Sequence, residues 1–286
     1  MPTPTPPTNF AKPFLKWVGG KGQLLAQFEP LFPPTFARYI EPFVGGGAVF
    51  FHLWNTRRLR GPVLLFDHNA ELVNAYRVVR DRVEELIAAL AVHESQHSKA
   101  HYYTVRAWDR QDMPLDDVVR AARTLYLNRT CYNGLYRVNS KGQFNVPIGR
   151  HKNLRILYPG VLRTASAALQ MAQIEVADFR AVAGIARSGD FVYFDPPYVP
   201  VSRTANFTSY TAGDFGDDDQ AALAAVFAQL SARGCHCMLS NSYTPRVREL
   251  YADFAIHKVQ ANRAVNANAS RRGAVSEAVV TSWRAG

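Results

Sequence analysis

Cysteine is scarce in this chain of 286 residues: Cys131, Cys235 and Cys237 form an odd set with no metal-ligand spacing beyond a lone C-x-C. That excludes a disulfide framework, gives no metal site, and points to buried thiols in a reducing, cytoplasmic compartment. Long apolar runs are missing too, so no segment has the length that spans a bilayer and no membrane partner is expected. Residues 1–9 have neither the basic start nor the apolar core of a signal peptide, and 1–12 read as a disordered tail. The most telling shortage is of acids. Between residues 118 and 174 there is no Asp or Glu, yet Arg120, Arg123, Arg129, Arg137, Lys141, Arg150, Lys152, Arg155 and Arg163 lie there. A second acid-free stretch, 254–276, holds Lys258, Arg263, Arg271 and Arg272. Nearly all of the formal net charge of +10 therefore sits in one segment, which points to a polyanionic partner.

Against these shortages stands one concentrated stretch, residues 191–198, four bulky β-formers followed by Asp195, Pro196, Pro197 and Tyr198. It reads as a buried strand that stops abruptly. Each proline fixes its own φ and drives the residue before it out of the helical region, so Asp195 and Pro196 are held extended. A carboxylate beside a rigid carbonyl offers two acceptors to a group with two N–H donors, such as the exocyclic amine of a base. Tyr198 adds a flat face for stacking. On these residues alone, a strand end capped by Asp195 accounts for the pattern equally well.

The rest of the chain narrows the choice. At 48% hydrophobic, 286 residues bury one α/β domain with a sizeable insertion. Residues 13–22 surround Lys21 with glycines but fail as a phosphate-binding loop, because Leu15 stands where the earlier glycine belongs and Gly22 follows the lysine. Trp17 and Lys21 remain available to an adenine-like ring or a carboxylate. A strand over 38–43, a turn at Gly45, Gly46 and Gly47, and a helix over 48–54 make the first strand–turn–helix of a doubly wound fold. The next strand, 62–66, ends in Asp67, ~20 residues beyond the glycines, where such folds place an acid on ribose hydroxyls. Asp67 is equally placed to cap a helix beginning near Glu71.

A long amphipathic helix is expected over 71–91 and another over 121–127, followed by a turn-rich, basic segment, 128–152, that makes a poor core and a good surface. The sheet resumes at 174–179. Beyond the 191–194 strand, 201–216 reads as a polar lid, 217–232 as a helix with an acidic first turn stopped by Gly234, and 235–240, 254–259 and 278–283 as strands.

In their order, these stretches resemble the Dam-type DNA adenine-N6 methyltransferases, the D12 class of the alpha group, over nearly the whole chain after residue 12. The resemblance implies an α/β fold, a Rossmann-like mixed seven-stranded sheet with the last strand antiparallel and a mainly helical recognition insert. It places the catalytic domain in 13–93 and 166–286 and the insert in 94–165. Carried over by position, Trp17, Lys21, Asp67, Asp178, Phe179 and Asp195 line the site of the cofactor, S-adenosyl-L-methionine, and Asp195, Pro196, Pro197 and Tyr198 form the catalytic motif. For double-stranded DNA, Lys16 matches a residue touching the first guanine of GATC, Tyr132 one that pushes into the stack, and Asn133 one that contacts the gap. Leu135, Arg137 and Pro147 match residues that read GATC, with Arg150 in the same loop. His151 stands where tyrosine is usual, and Ser140 and Gln143 also depart from the pattern.

The implied chemistry agrees with the motif: two acceptors on the target amine localise its lone pair toward the methyl, and the base must leave the duplex to be reached. A cytosine-N4 methyltransferase, an RNA or protein-glutamine methyltransferase, and a DNA-binding protein on a dead methyltransferase fold are the rival readings. No obligate protein partner is evident, and the enzyme is expected at the nucleoid while bound to DNA.

Overall fold

The computed structural model describes residues 10–111, 114–151, 154–199, 215–262 and 274–284. The expected lid over 201–216 falls almost wholly outside these residues, as do Lys152, Arg263, Arg271, Arg272 and the first nine positions. The chain divides into two compact units: Met1–Gly20, Gly45–Arg58 and Asn69–Ile174 form one, and Lys21–Val44, Leu59–His68 and Glu175–Gly286 the other. The first is helical; the second carries the sheet. No helix among the described residues is long and apolar enough to cross a membrane.

The strands are β1 (Tyr39–Glu41), β2 (Val63–Asp67), β3 (Ala172–Val176), β4 (Phe191–Phe194), β5 (His236–Ser242), β6 (Ala255–Asn262) and β7 (Ala274–Thr281), in the seven-stranded order β3-β2-β1-β4-β5-β7-β6. β1 runs parallel to β2 and β4, β4 parallel to β5, and β7 antiparallel to both β5 and β6. Parallel strands are covered on both faces and so read as continuous apolar runs, as Phe191 to Phe194 do. On one face Val192, Phe194 and Leu239 pack with Leu223, Phe227 and Leu230 of the helix Asp217–Ala232. On the other, Phe28 meets the ring of Tyr193, and Phe32 and Phe36 meet that of Phe191. The helix Asp217–Ala232 starts with three acids facing the positive end of its dipole, and the chain turns away at Gly234, where φ is 89°.

In the helical unit, the helix expected over 71–91 is two, Ala70–Asp81 and Val83–Ser95, broken at Arg82 with φ −135° and ψ 39°. Charge favours the break: Arg80 lies in the last turn of the first helix, and Glu84 and Glu85 in the first turn of the second. Nor does Asp67 cap the first helix. The Asn69 side chain does so, accepting the N–H groups of Glu71 and Leu72 at 3.0 and 3.1 Å.

The segment 128–152 is also less of a surface than expected. Asn128, Thr130, Cys131, Phe144 and Val146 are buried, and Tyr102 donates its hydroxyl to the Val146 carbonyl at 2.8 Å. Several of its neighbouring cations are spoken for by acids from outside the acid-free stretch. Arg120 pairs with Glu71, the buried Arg123 with Asp109, and Arg163 with Glu84. Arg137, Lys141, Arg150 and Arg155 stay exposed, with no ion pair to a carboxylate among the described residues.

Candidate active site

Asp195 stands one residue past the end of β4, its side chain 20% exposed. Lys21 Nζ, buried, lies 2.7 Å from each carboxylate oxygen, and the Ser240 hydroxyl donates to Oδ1 at 2.9 Å. Burial pushes the Asp195 carboxyl above its ordinary value, against the pull of Lys21 and of the Ser240 hydrogen bond. An ionised carboxylate accepts about four hydrogen bonds. Lys21 and Ser240 fill Oδ1 and half of Oδ2, which among the described residues leaves one acceptor position on Oδ2. Nor, among the described residues, does a donor reach the carbonyl of Pro196, the next residue in the chain. Among the described residues the Asp195 oxygens bind Lys21 and Ser240 and cap no backbone N–H.

The segment after Asp195 is clamped by side chains the sequence did not single out. Gln220 Nε2 donates to the Pro197 carbonyl at 2.8 Å, and Val199 N–H donates to Asn241 Oδ1 at 3.0 Å. The two clamps are themselves joined, Asn241 Nδ2 to Gln220 Oε1 at 3.1 Å, and both residues are buried. A signal for them existed: Ser240, Asn241 and Ser242 end an apolar strand as abruptly as Asp195 ends β4.

The strand register sets other residues on the same edge. Tyr39 is level with Val63 and with Phe191, and the parallel strands run from there to Asp67, the last residue of β2, and to Asp195, the first beyond β4. Asp67 is half-buried, and its carbonyl accepts the Ala177 N–H at 3.2 Å. Asp178 caps Arg180 N–H at 2.9 Å and pairs with the Arg180 guanidinium. Phe179 is buried, stacked on Phe43 at 5.5 Å, with the Arg180 guanidinium 4.5 Å over its ring. Lys21, Asp67, Asp178, Phe179 and Asp195 all belong to the sheet unit.

In the helical unit, Trp17 lies against the glycine turn. Gly45 has φ 46°, and a Cβ there would come 2.8 Å from the Trp17 ring; the ring's partner is Tyr136 at 5.4 Å. The expected nucleic-acid residues are also gathered here. Asn128 accepts the Lys16 N–H at 2.9 Å and donates to the carbonyls of Lys16 and Gly134 at 2.8 and 2.9 Å, tying Lys16 to the turn of Tyr132 and Asn133. Asn133 holds φ 56°, and Tyr132 is 54% exposed, an aromatic ring standing in solvent. Tyr132 N–H donates to the Pro147 carbonyl at 2.9 Å, and Cys131 Sγ to the Leu135 carbonyl at 3.2 Å. Arg137, exposed, donates from Nε to Asn145 Oδ1 at 2.7 Å, and its terminal guanidinium nitrogens have no hydrogen bond among the described residues. Arg150 is exposed, and its neighbour His151 reaches the Cys131 carbonyl at 3.3 Å.

Comparison with known proteins gives the family. A model of the D12 class N6 adenine-specific DNA methyltransferases matches residues 17–265. The Type II methyltransferase M1.LlaDCHI of Lactococcus lactis subsp. cremoris is 44% identical over 276 residues, 95% of each chain. The Type II methyltransferase M.MjaIII of Methanocaldococcus jannaschii is 43% identical, covering 91% of this chain and 95% of its own. The DNA adenine methylase of Escherichia coli (strain K12) is 35% identical over 92% of both chains. With a carboxylate ending the fourth strand of a seven-stranded mixed sheet, and these relatives matching end to end, the chain belongs to the D12 class of N6 adenine-specific DNA methyltransferases.

Proposed function

We propose that the chain transfers a methyl group from S-adenosylmethionine to the N6 amine of an adenine flipped out of double-stranded DNA, within GATC. The observation that carries the reading is the vacant acceptor position of Asp195 beside the Pro196 carbonyl at the end of β4. Adenine's amine is a weak nucleophile because its lone pair is drawn into the ring. Asp195 and Pro196, accepting one N–H each, return that pair to nitrogen and hold it on one line of approach. The cofactor supplies an electrophilic methyl on a sulfonium centre. Holding reactants in contact in this way contributes up to ~7–11 kcal/mol in well-aligned systems. Tyr198 stacks on the base, and Pro197 keeps Pro196, whose carbonyl accepts the amine, extended.

Two features fit the cofactor: Asp67 at the carboxyl end of β2, as the ribose-hydroxyl acceptor, and the ammonium of Lys21 at Asp195. Trp17, Asp178 and Phe179 complete the set by family position. Residues 13–93 and 166–286 form the catalytic part and 94–165 the target-recognition part; Tyr132, Asn133, Leu135, Arg137, Pro147 and Arg150 of the latter meet DNA together with Lys16 of the former.

The test is sequencing of modified bases in DNA from cells expressing the chain. N6-methyladenine centred on GATC is expected. N4-methylcytosine would overturn the adenine assignment, and N6-methyladenine at an unrelated site would overturn GATC alone.

A further inference from the structure

Tyr198 and Glu277, 79 residues apart in the chain, are joined by a hydrogen bond of 2.6 Å from the phenol oxygen to Glu277 Oε2. Burial, with the carboxylates of Asp195 and Glu277 close by, holds the Tyr198 phenol well above its ordinary pKa, so the hydroxyl keeps its proton and donates it. A short bond from a hydroxyl to a carboxylate is among the stronger kinds a protein makes. Glu277 is itself firmly placed: on β7 it stands opposite Ser242 of β5 and Val259 of β6, with a strand on either side. Gln220 and Asn241 fix the backbone around Tyr198 but leave its two side-chain rotations free. The bond to Glu277 removes that freedom. Lys21 Nζ then lies 4.7 Å from the centre of a ring whose plane is set.

We propose that Glu277 is a positioning residue for methyl transfer: its carboxylate sets the plane of the Tyr198 ring, so that the extruded base stacks with its amine at Asp195. This rests on the reading of Tyr198 as the stacking face. A ring held only by its backbone would still attract a base but would let the amine wander from Asp195. The loss therefore falls on the rate of methyl transfer, while DNA affinity stays unchanged.

The experiment is a double-mutant cycle on the full chain. Single-turnover transfer is measured on a GATC duplex at saturating S-adenosylmethionine, and base extrusion by 2-aminopurine fluorescence at the target position. Glu277→Ala and Tyr198→Phe are each expected to lower the rate by about tenfold, the lower end of what a hydrogen bond to an ionised group contributes. The double variant is expected to be no slower than either single one. If Glu277→Ala slows the Tyr198→Phe enzyme by its full factor again, or if both single variants keep the wild-type rate, the proposal is wrong. Should the alanine variant fail to fold, Glu277→Gln takes its place in the cycle with the same non-additivity expected. Wild-type rate and fluorescence in Tyr198→Ala would overturn the stacking role of Tyr198 instead.

Discussion

Lys21 Nζ sits 2.7 Å from both carboxylate oxygens of Asp195, and this pair governs how the proposed reaction responds to acid. Burial raises the Asp195 pKa; Lys21, then the Ser240 hydrogen bond, lower it. The ionised form is the stronger acceptor for the amine's N–H, so the transfer rate falls as pH drops through the raised value. Lys21→Met removes the larger opposing influence and moves the acid limb to higher pH; Ser240→Ala moves it the same way by less. Rate–pH profiles of the three proteins check this, and an unmoved limb in Lys21→Met would mean another group sets it. The folded chain holds this proton more tightly than the unfolded one. Ionising Asp195 therefore costs stability as pH rises from the unfolded pKa through the folded one.

Asp195→Asn keeps the side chain's shape but turns one acceptor oxygen into a donor. Loss of a hydrogen bond to an ionised group slows transfer by on the order of 100-fold, while the folded variant still binds DNA. Near-wild-type turnover in a variant with a native circular dichroism spectrum would take the amine away from this residue.

His93 predicts a second, purely structural pH effect. Its Nδ1 lies 3.0 Å from His101 Nε2 and its ring stacks on Tyr126 at 4.8 Å, with Trp108 at 5.7 Å and His97 bonded to the same Tyr126 hydroxyl. Burial, then His101, push its pKa down to about 4. An unfolded imidazole titrates near ~6.5, so the contribution to stability is whole above that pH and is lost as pH falls toward the folded value. A shift of this size is about 3 kcal/mol, to be compared in urea melts at neutral and mildly acid pH. His93→Phe keeps the stack, and its stability is expected to vary less over the same range.

Only the unpaired cations of the recognition segment are expected to track phosphate. Non-specific DNA affinity falls with salt at a log–log slope of about −0.9 per phosphate neutralised. Arg150→Ala or Arg155→Ala is expected to flatten that slope by roughly one such unit. Arg163→Ala, which removes a partner of Glu84, is expected to leave it alone. Equal slopes in all variants would return the segment to a solvated insertion.

Arg137 carries the sharpest specificity prediction. With Nε held by Asn145, its two terminal nitrogens match guanine O6 and N7, a pairing that discriminates by ~1–3 kcal/mol. Arg137→Lys keeps the charge but not the fork, so selectivity at one base pair is expected to fall further than total binding. Asn145→Ala is expected to relax the same base pair to a smaller degree. Methylation of a duplex library carrying every single substitution of GATC reads both. Unchanged selectivity in Arg137→Lys would remove it from base readout.

Much of this was legible before any coordinates. The four apolar residues before Asp195 and the acids opening 217–232 declare their elements because local propensity and tertiary placement agree there. The break at Arg82 was missed because no glycine or proline marks it; its signal is the reversal of charge across Arg80 and Glu84. Asn69 was overlooked as a cap because Asp67, two residues earlier, fits the same pattern. Ser240, Gln220, Asn241 and Glu277 reach the site through partners far off in the chain. Spacing carries no trace of such pairs, since sheet order sets them.

Of the last three strands, the one synthesised third lies in the middle: β7 fills the place between β5 and β6. While residues 274–281 are still to emerge, β5 and β6 each keep an open edge of unpaired backbone groups, the kind of surface that recruits other chains. A nascent chain at that stage already carries Asp195 and Tyr198 but not the carboxylate that orients the ring. Methyl transfer at the full rate therefore waits on residues 274–281. The open edges at that same moment are where holdase chaperones would find their grip.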